Sequence, residues 1–306
     1  MSMTEKKWRE ELIATLQLES YQYDEPMYRY TSFRIGGPAD LLIEAQTVDE
    51  LARTVEYCQQ VGVFWFLLGR GTNILVKDQG VRGVVLRLGK GFSSINVEGR
   101  RIKAGGAASL AAVAEQAARN NLTGLEFASG IPGSIGGALF MNAGAYGSEM
   151  QEVVLEAKVY RPGSGVIVLK KEELEFGYRF SRLQKEEGII LEVVLELNRG
   201  EEAQIRAKMA ELNGRRKDKQ PLEYPSAGSV FKRPKGKFAG QLIEEAGLKG
   251  KRVGNAQVSP KHAGFIVNIG NATAQEVLDL IELVRVEVHN QAGLWLEPEI
   301  RILGGE

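Results

Sequence analysis

The stretch SGIPGSIGGALFMNAGAYG, residues 129–147, constrains this chain more than any other. Its glycines and serines alternate with apolar residues, and glycine loses more backbone freedom on folding than any other residue. A segment built this way fills a core poorly. It is tolerated where backbone must lie flat against something. One reading is a long aromatic cofactor with a pyrophosphate, which needs N–H donors and close approach together; the other is a tightly packed helix start after Pro132. A second glycine-rich stretch, LGRGTNILV (68–76), follows a strand-like run and lets several N–H groups converge on an anion. It is not a dinucleotide fingerprint, because position 74 is isoleucine rather than a third glycine and the chain continues as strand. A bare turn between strands is an equally open reading.

The remainder of the chain must supply the core on which such loops rest. With 306 residues, 43% of them hydrophobic, there is material for two domains. Lysines plus arginines number 39, as do aspartates plus glutamates, so no global field attracts nucleic acid or an anionic membrane, and neither is expected as a partner. The single cysteine, Cys58, excludes an internal disulfide and a multi-cysteine metal site. It sits among Val55, Tyr57 and Val61 in a helical pattern and reads as a core thiol. Two histidines, His262 and His289, are too few for a histidine-rich metal centre, and no metal is expected. The charged N-terminal stretch MSMTEKKWREELIATLQ lacks a signal-peptide apolar run, and no later segment is apolar enough to span a bilayer, so a cytoplasmic protein is expected.

Hydrophobic patterning predicts an α+β fold. LLIEA (41–45), FWFLL (64–68), VVLRL (84–88), VVLEAKVY, VIVLK and IILEVVLEL read as strands, several too close together for helical crossovers, so the sheet is mixed or largely antiparallel. TVDELARTVEYCQQ has Thr47 and Glu50 in capping-box spacing, and SLAAVAEQAARNN (109–121) is an alanine-rich helix. The charged helical stretch 198–220, ending in RRKDK, reads as a solvated helix end and a boundary. Beyond it come a helix at GKFAGQLIEEAGLKG, a strand at AGFIVN (263–268) and a long helix with Thr273 and Glu276 in capping-box spacing. In that last helix Val277, Ile281, Val284 and Val288 form one apolar stripe.

Four short segments carry groups that can do chemistry. In EYPSAGSVFKRP (223–234), Ser229 reads either as a turn serine bonded to nearby backbone, the commoner case, or as a serine whose proton a substrate takes. In FGYRFSR (176–182), Arg179 either shields its aromatic neighbours with its alkyl stem or presents a planar charged fork to a carboxylate. LWLEPEIRIL (294–303), if a strand, projects Glu297, Glu299 and Arg301 from one face and Leu296, Ile300 and Ile302 from the other, with Pro298 restricting it to an edge or a bulge; the charged face is either solvated with an ordinary ion pair or turned to a substrate. His262, in KHAGFIV, reads as polar capping of a strand start.

Taken in order, TSFRIGGPADLLIEAQTVDEL, LGRGTNILV, SGIPGSIGGALFMNAGAYG, YRFS, AGSVFKRP, KHAGFIVN and LEPEIRILG resemble the UDP-N-acetylenolpyruvoylglucosamine reductase family over nearly the whole chain. The resemblance implies an FAD-binding domain of the vanillyl-alcohol-oxidase type in two lobes (30–199) and a smaller α+β substrate domain (200–306), whose last strand is a candidate to return to the FAD domain. It implies non-covalent FAD held by Arg34, Gly69, Arg70, Gly71, Thr72, Asn73, Ile74, Ser129, Gly130, Ile131, Pro132, Gly133, Ser134, Gly136, Gly137 and Asn142. It also implies NADPH as electron donor and UDP-N-acetylglucosamine enolpyruvate as the molecule reduced. Ser229 then matches the proton donor, with Arg179 and Glu299 completing the catalytic set. Tyr178, Lys232 and Arg301 are the expected substrate contacts, and a monomer is expected. The short interval between Arg179 and Ser229 matches the shorter class of the family, which lacks a substrate-covering loop that acts through a tyrosine. Two other readings stay open on sequence: an oxidase or dehydrogenase of the same fold, and a nucleotide-sugar-binding protein without catalysis.

Overall fold

The computed structural model describes residues 7–305. The chain forms two compact units. One takes residues up to Gln22, Leu41–Gly69 and Gly83–Arg215; the other takes Tyr23–Asp40, Arg70–Arg82 and Arg216 onward. The division in the C-terminal half falls inside helix Glu202–Lys219, whose last turn is solvated as its charge pattern predicts.

The first unit is built on a five-stranded antiparallel sheet in the order Gly165–Lys170, Val154–Arg161, Ile189–Glu196, Arg101–Gly105, Ile95–Glu98. Ile102, Ala104, Ala157 and Val193 are fully buried on its inner face, against Leu110, Val113 and Ala117 of helix Leu110–Arg119 and Ile135 and Leu139 of helix Ile135–Phe140. A four-stranded sheet runs Tyr21–Pro26, Pro38–Ala45, Val81–Leu88, Trp65–Leu67, with Trp65–Leu67 parallel to Val84–Leu86. Helix Val48–Val61 packs Leu51, Val55 and Cys58 into a second core with Leu41, Ile43, Val84 and Leu86. Thr47 caps it by accepting the Glu50 N–H at 3.2 Å, but the Glu50 carboxylate takes the N–H of Gln46 at 2.7 Å. The predicted box is therefore displaced by one residue on its return side. Burial pushes the Cys58 thiol up to about 12, so almost no thiolate exists at neutral pH. A thiol reagent is thus expected to leave the folded protein unlabelled and to titrate one group only after denaturation; rapid labelling of native protein contradicts this burial.

In the second unit, helix Ala274–Ala292 buries Val277, Leu280, Ile281, Val284 and Val288 against Leu242, Ile243, Ala256, Val258 and Ile266. Phe33, Ile35 and Leu75 belong to the same core, which is why segments 23–40 and 70–82 pack with the C-terminal part of the chain. Each large apolar side chain so buried contributes roughly 1.5–3 kcal/mol, against about 1 kcal/mol for a helix cap. The stripe therefore anchors the helix and the cap fixes where it starts. That start is doubly satisfied. Thr273 and Glu276 make the predicted capping box, and Asp78 accepts the N–H groups of Ala274 and Gln275 at 2.8 and 3.0 Å.

LEPEIRIL does not fold as one alternating strand. Only Arg301–Leu303 is strand, parallel to Ile74–Val76. Buried residues there are Leu296, Ile300 and Leu303, while Ile302, expected inward, is 46% exposed. The cause is a change of partner. Upstream of Ile300 the segment bonds to the Ser229 loop, where Phe231 bridges Pro298, and downstream it bonds to the strand after Asn73. Among the described residues no helix is long and apolar enough to cross a membrane.

Candidate active site

The first unit holds Gly69, the 129–137 loop, Asn142, Tyr178 and Arg179. The loop lies against segment 106–110: Leu110 N donates to Gly133 O at 3.1 Å, Ile135 N to Ala108 O at 2.9 Å, and Gly136 N to Gly106 O at 3.0 Å. A Cβ on Gly136 would sit 2.9 Å from Gly106 O, so glycine is required there by packing. Ser134 is buried and starts helix Ile135–Phe140 by accepting the Gly137 N–H at 3.2 Å. The packed helix start is thus real at Ser134 and Gly136. Elsewhere the loop keeps another character, since Gly130, Ile131, Pro132 and Gly133 retain surface, and so does Gly137. Ser129 turns back to accompany Glu126, donating to its carbonyl at 2.9 Å.

After that helix the chain makes a tight turn at 177–180. Gly177 and Phe180 exchange both N–H···O bonds at 3.0 Å, which leaves Tyr178 and Arg179 at the corner. Arg179 adopts φ +54, a left-handed conformation that costs a side-chain-bearing residue about 1–2 kcal/mol. Its guanidinium lies 5.3 Å from the half-exposed Tyr178 ring and donates to Gly144 O at 3.3 Å. Asn142 is fully buried, donates to Gly177 O at 2.9 Å and accepts the Gln151 N–H at 2.9 Å. Its side-chain amide is therefore engaged in building this turn, whatever its backbone contacts.

The second unit holds Arg34, the 70–74 turn, Ser229, Lys232, Glu299 and Arg301. Gly71 is buried at φ +64, and a Cβ there would lie 1.9 Å from Tyr30 O, so only glycine lets the turn close. Arg34 is exposed and also left-handed, at φ +54, pinned by its N–H to Thr31 O at 3.0 Å while Thr31 Oγ1 donates to Ile35 O at 2.8 Å. Ser32 donates its hydroxyl to Ser226 O at 2.6 Å and its backbone N–H to Gly71 O at 3.0 Å, tying the 70–74 turn to the start of the serine loop.

Ser229 itself is exposed and follows Gly228 at φ +78. Its extended segment is held on both sides by isolated bridges. Ser229 bridges Phe265, Val230 N donates to Gly264 O at 2.9 Å, Glu299 N donates to Val230 O at 2.7 Å, and Lys232 N donates to Glu297 O at 2.8 Å. This ladder brings Ser229 and Glu299 onto adjacent chains. Asn73 joins them, its Nδ2 donating to Glu299 O at 3.2 Å and its carbonyl accepting Arg301 N at 3.0 Å. The Lys232 ammonium pairs with the exposed Glu297 carboxylate. His262 accepts the Gly264 N–H on Nδ1 at 3.1 Å, and burial holds the imidazole below its usual pKa. It caps the entry to strand Ile266–Asn268.

Neither the 69–74 nor the 129–137 stretch contains a carboxylate: the first carries the Arg70 guanidinium, the Thr72 hydroxyl and the Asn73 amide, and the second the Ser129 and Ser134 hydroxyls beside backbone N–H groups. Each stretch by itself suits an anion such as a pyrophosphate. Among the described residues no cluster of His, Cys, Asp or Glu suits a metal ion.

Among known families, an FAD binding domain matches residues 39–169, and the C-terminal domain of UDP-N-acetylenolpyruvoylglucosamine reductase matches 220–303. The UDP-N-acetylenolpyruvoylglucosamine reductase of Caldanaerobacter subterraneus subsp. tengcongensis is 52% identical, over 92% of this chain and 93% of its own length. The chain belongs to the UDP-N-acetylenolpyruvoylglucosamine reductase family. A Clostridium botulinum reductase is 49% identical over 92% of both chains. The crystal structure of the Thermus caldophilus reductase superimposes with a TM-score of 0.81 at 38% identity, covering 93% of this chain and 98% of that one. Membership in the reductase family thus extends over both units, and the expected α+β architecture with an FAD-binding domain is the one observed. Sequence reading missed Gln184, whose contacts bear on Arg179; a glutamine in a charged surface stretch carries no signal of that kind.

Proposed function

We propose that this chain reduces UDP-N-acetylglucosamine enolpyruvate to UDP-N-acetylmuramate, a peptidoglycan precursor, using NADPH through FAD. The observation that supports the reading most is the ladder that puts Ser229 beside Glu299, with Glu299 N on Val230 O at 2.7 Å. The 69–74 and 129–137 stretches would hold FAD, which when bound would supply from its N5 a hydride drawn from NADPH. Every other part of the reaction falls to side chains. Hydride arriving at the terminal alkene carbon pushes the electron pair toward the substrate carboxylate, and the adjacent carbon then needs a proton.

Ser229 gives that proton. A hydroxyl is a weak acid, so the transfer depends on stabilising the alkoxide as it forms or on its prompt reprotonation. The Arg179 fork holds the carboxylate where negative charge builds, which is stabilisation aimed at the transition state. Glu299 acts on the same carboxylate, with Tyr178 and Arg301 as substrate contacts. Lys232 takes the diphosphate. Its present partner Glu297 is largely exposed, and such a pair is worth about 0–1 kcal/mol, so an incoming anion displaces it at little cost. In this reading the protein works as a cytoplasmic monomer.

The test is turnover. Purified protein, reconstituted with FAD if colourless, is expected to oxidise NADPH only when the enolpyruvyl sugar nucleotide is present. NADPH oxidation indifferent to that substrate would sink the assignment, and failure to bind flavin would sink its cofactor.

A further inference from the structure

Gln184 lies outside every motif that singled out this chain's chemistry. It follows the Arg179 turn in the short 3-10 segment Arg182–Gln184. Its Nε2 donates to Phe140 O at 2.8 Å and to Arg179 O at 2.9 Å, one hydrogen for each carbonyl. Phe140 O takes a second bond, from Ser181 Oγ at 2.8 Å. On the opposite shoulder, Asn142 Nδ2 holds Gly177 O at 2.9 Å. The whole 177–180 turn is thereby fastened to the end of one six-residue helix, Ile135–Phe140, whose beginning is the 129–137 loop.

We infer that Gln184 is a positioning residue for Arg179. By bonding the Arg179 and Phe140 carbonyls at once, it fixes the peptide that follows Arg179 and so holds that residue left-handed. The inference rests on the reading of Arg179 as the carboxylate-binding residue. Left-handed backbone is uphill for arginine, so a turn released from Gln184 relaxes toward the ordinary basins and the guanidinium moves with it. The same helix carries the glycine loop at its other end. The arginine is therefore set in register with the stretch assigned to the flavin, and a displacement of about 1 Å is enough to cost on the order of 10²-fold in rate.

The test uses the FAD-loaded full chain and follows flavin absorbance in two separate half-reactions, with Gln184→Ala and Gln184→Glu. In Gln184→Ala, FAD content and the rate of flavin reduction by NADPH are expected to stay within about twofold of the wild-type protein. The return of flavin absorbance on adding the enolpyruvyl sugar nucleotide slows on the order of 10²-fold. Gln184→Glu slows that step further, because a carboxylate faces two carbonyl oxygens with no donor. A substrate step unchanged in Gln184→Ala overturns the inference. So does an equal fall in FAD content and both half-reactions, which is the signature of a purely structural residue. If the wild-type protein does not turn over the substrate, it is the functional assignment that has failed; normal wild-type turnover with an unaffected Gln184→Ala fails this inference alone.

Discussion

Replacing Ser229 with alanine is expected to leave FAD binding and flavin reduction by NADPH near wild type, while oxidation of the flavin by the enolpyruvyl substrate slows by roughly 10²–10⁴-fold. The separation follows from what the substitution removes. The hydroxyl is exposed, and the bonds that place the loop, Val230 N to Gly264 O and Glu299 N to Val230 O, are all backbone. Folding stability should therefore change by no more than about 0.5 kcal/mol. Only the step that needs a proton at carbon loses its donor. Ser229→Cys is expected to keep part of the activity, since a thiol is the better acid. Equal losses in both half-reactions of Ser229→Ala would contradict the proton-donor role.

Arg179 offers a test in which stability and activity move in opposite directions. At φ +54 an arginine or an alanine is strained, and a glycine is not. Arg179→Gly is expected to be more stable than Arg179→Ala by about 1 kcal/mol, read from denaturant unfolding. Both are expected to lose on the order of 10²–10³-fold in the substrate half-reaction, because the fork that meets developing charge has gone. Arg179→Lys keeps the charge and loses the two-pronged geometry, which places its activity between the wild-type protein and these two variants. Alanine as stable as glycine would show that the turn stores no strain. A glycine variant with normal substrate turnover would remove Arg179 from the site.

What the sequence made legible were features decided locally. Thr273 and Glu276 predicted the start of helix Ala274–Ala292, and its valine and isoleucine stripe predicted the buried face, because both depend on neighbours within two turns. LEPEIRIL defeated the same logic. Its alternation is regular on paper, but the chain changes partner at Ile300, and a change of partner leaves no mark on local periodicity. Glu50 failed by one residue, its carboxylate taking the Gln46 N–H in place of that of Thr47. At the site, the sequence showed two glycine-rich stretches, but that glycine is obligatory at 71 and 136 follows from the carbonyls of Tyr30 and Gly106, which local sequence does not reveal. Ser229, Arg179 and Glu299 stood out through family resemblance. Asn142 and Gln184 hold backbone carbonyls, and a contact with backbone has no signature in the identity of its partner.

Asn73 and Glu299 are joined across a sequence separation of 226 residues. During biosynthesis the 70–76 segment emerges long before the strand that pairs with it exists. At about 5–20 residues per second, it waits roughly 10–50 s for residues 299–303 to be made. Throughout that interval the edge of Ile74–Val76 is an unpaired template of the kind that recruits foreign strands. The charged and turn-forming run that follows, Lys77-Asp78-Gln79-Gly80, then stands as a gatekeeper beside an apolar edge on the nascent chain.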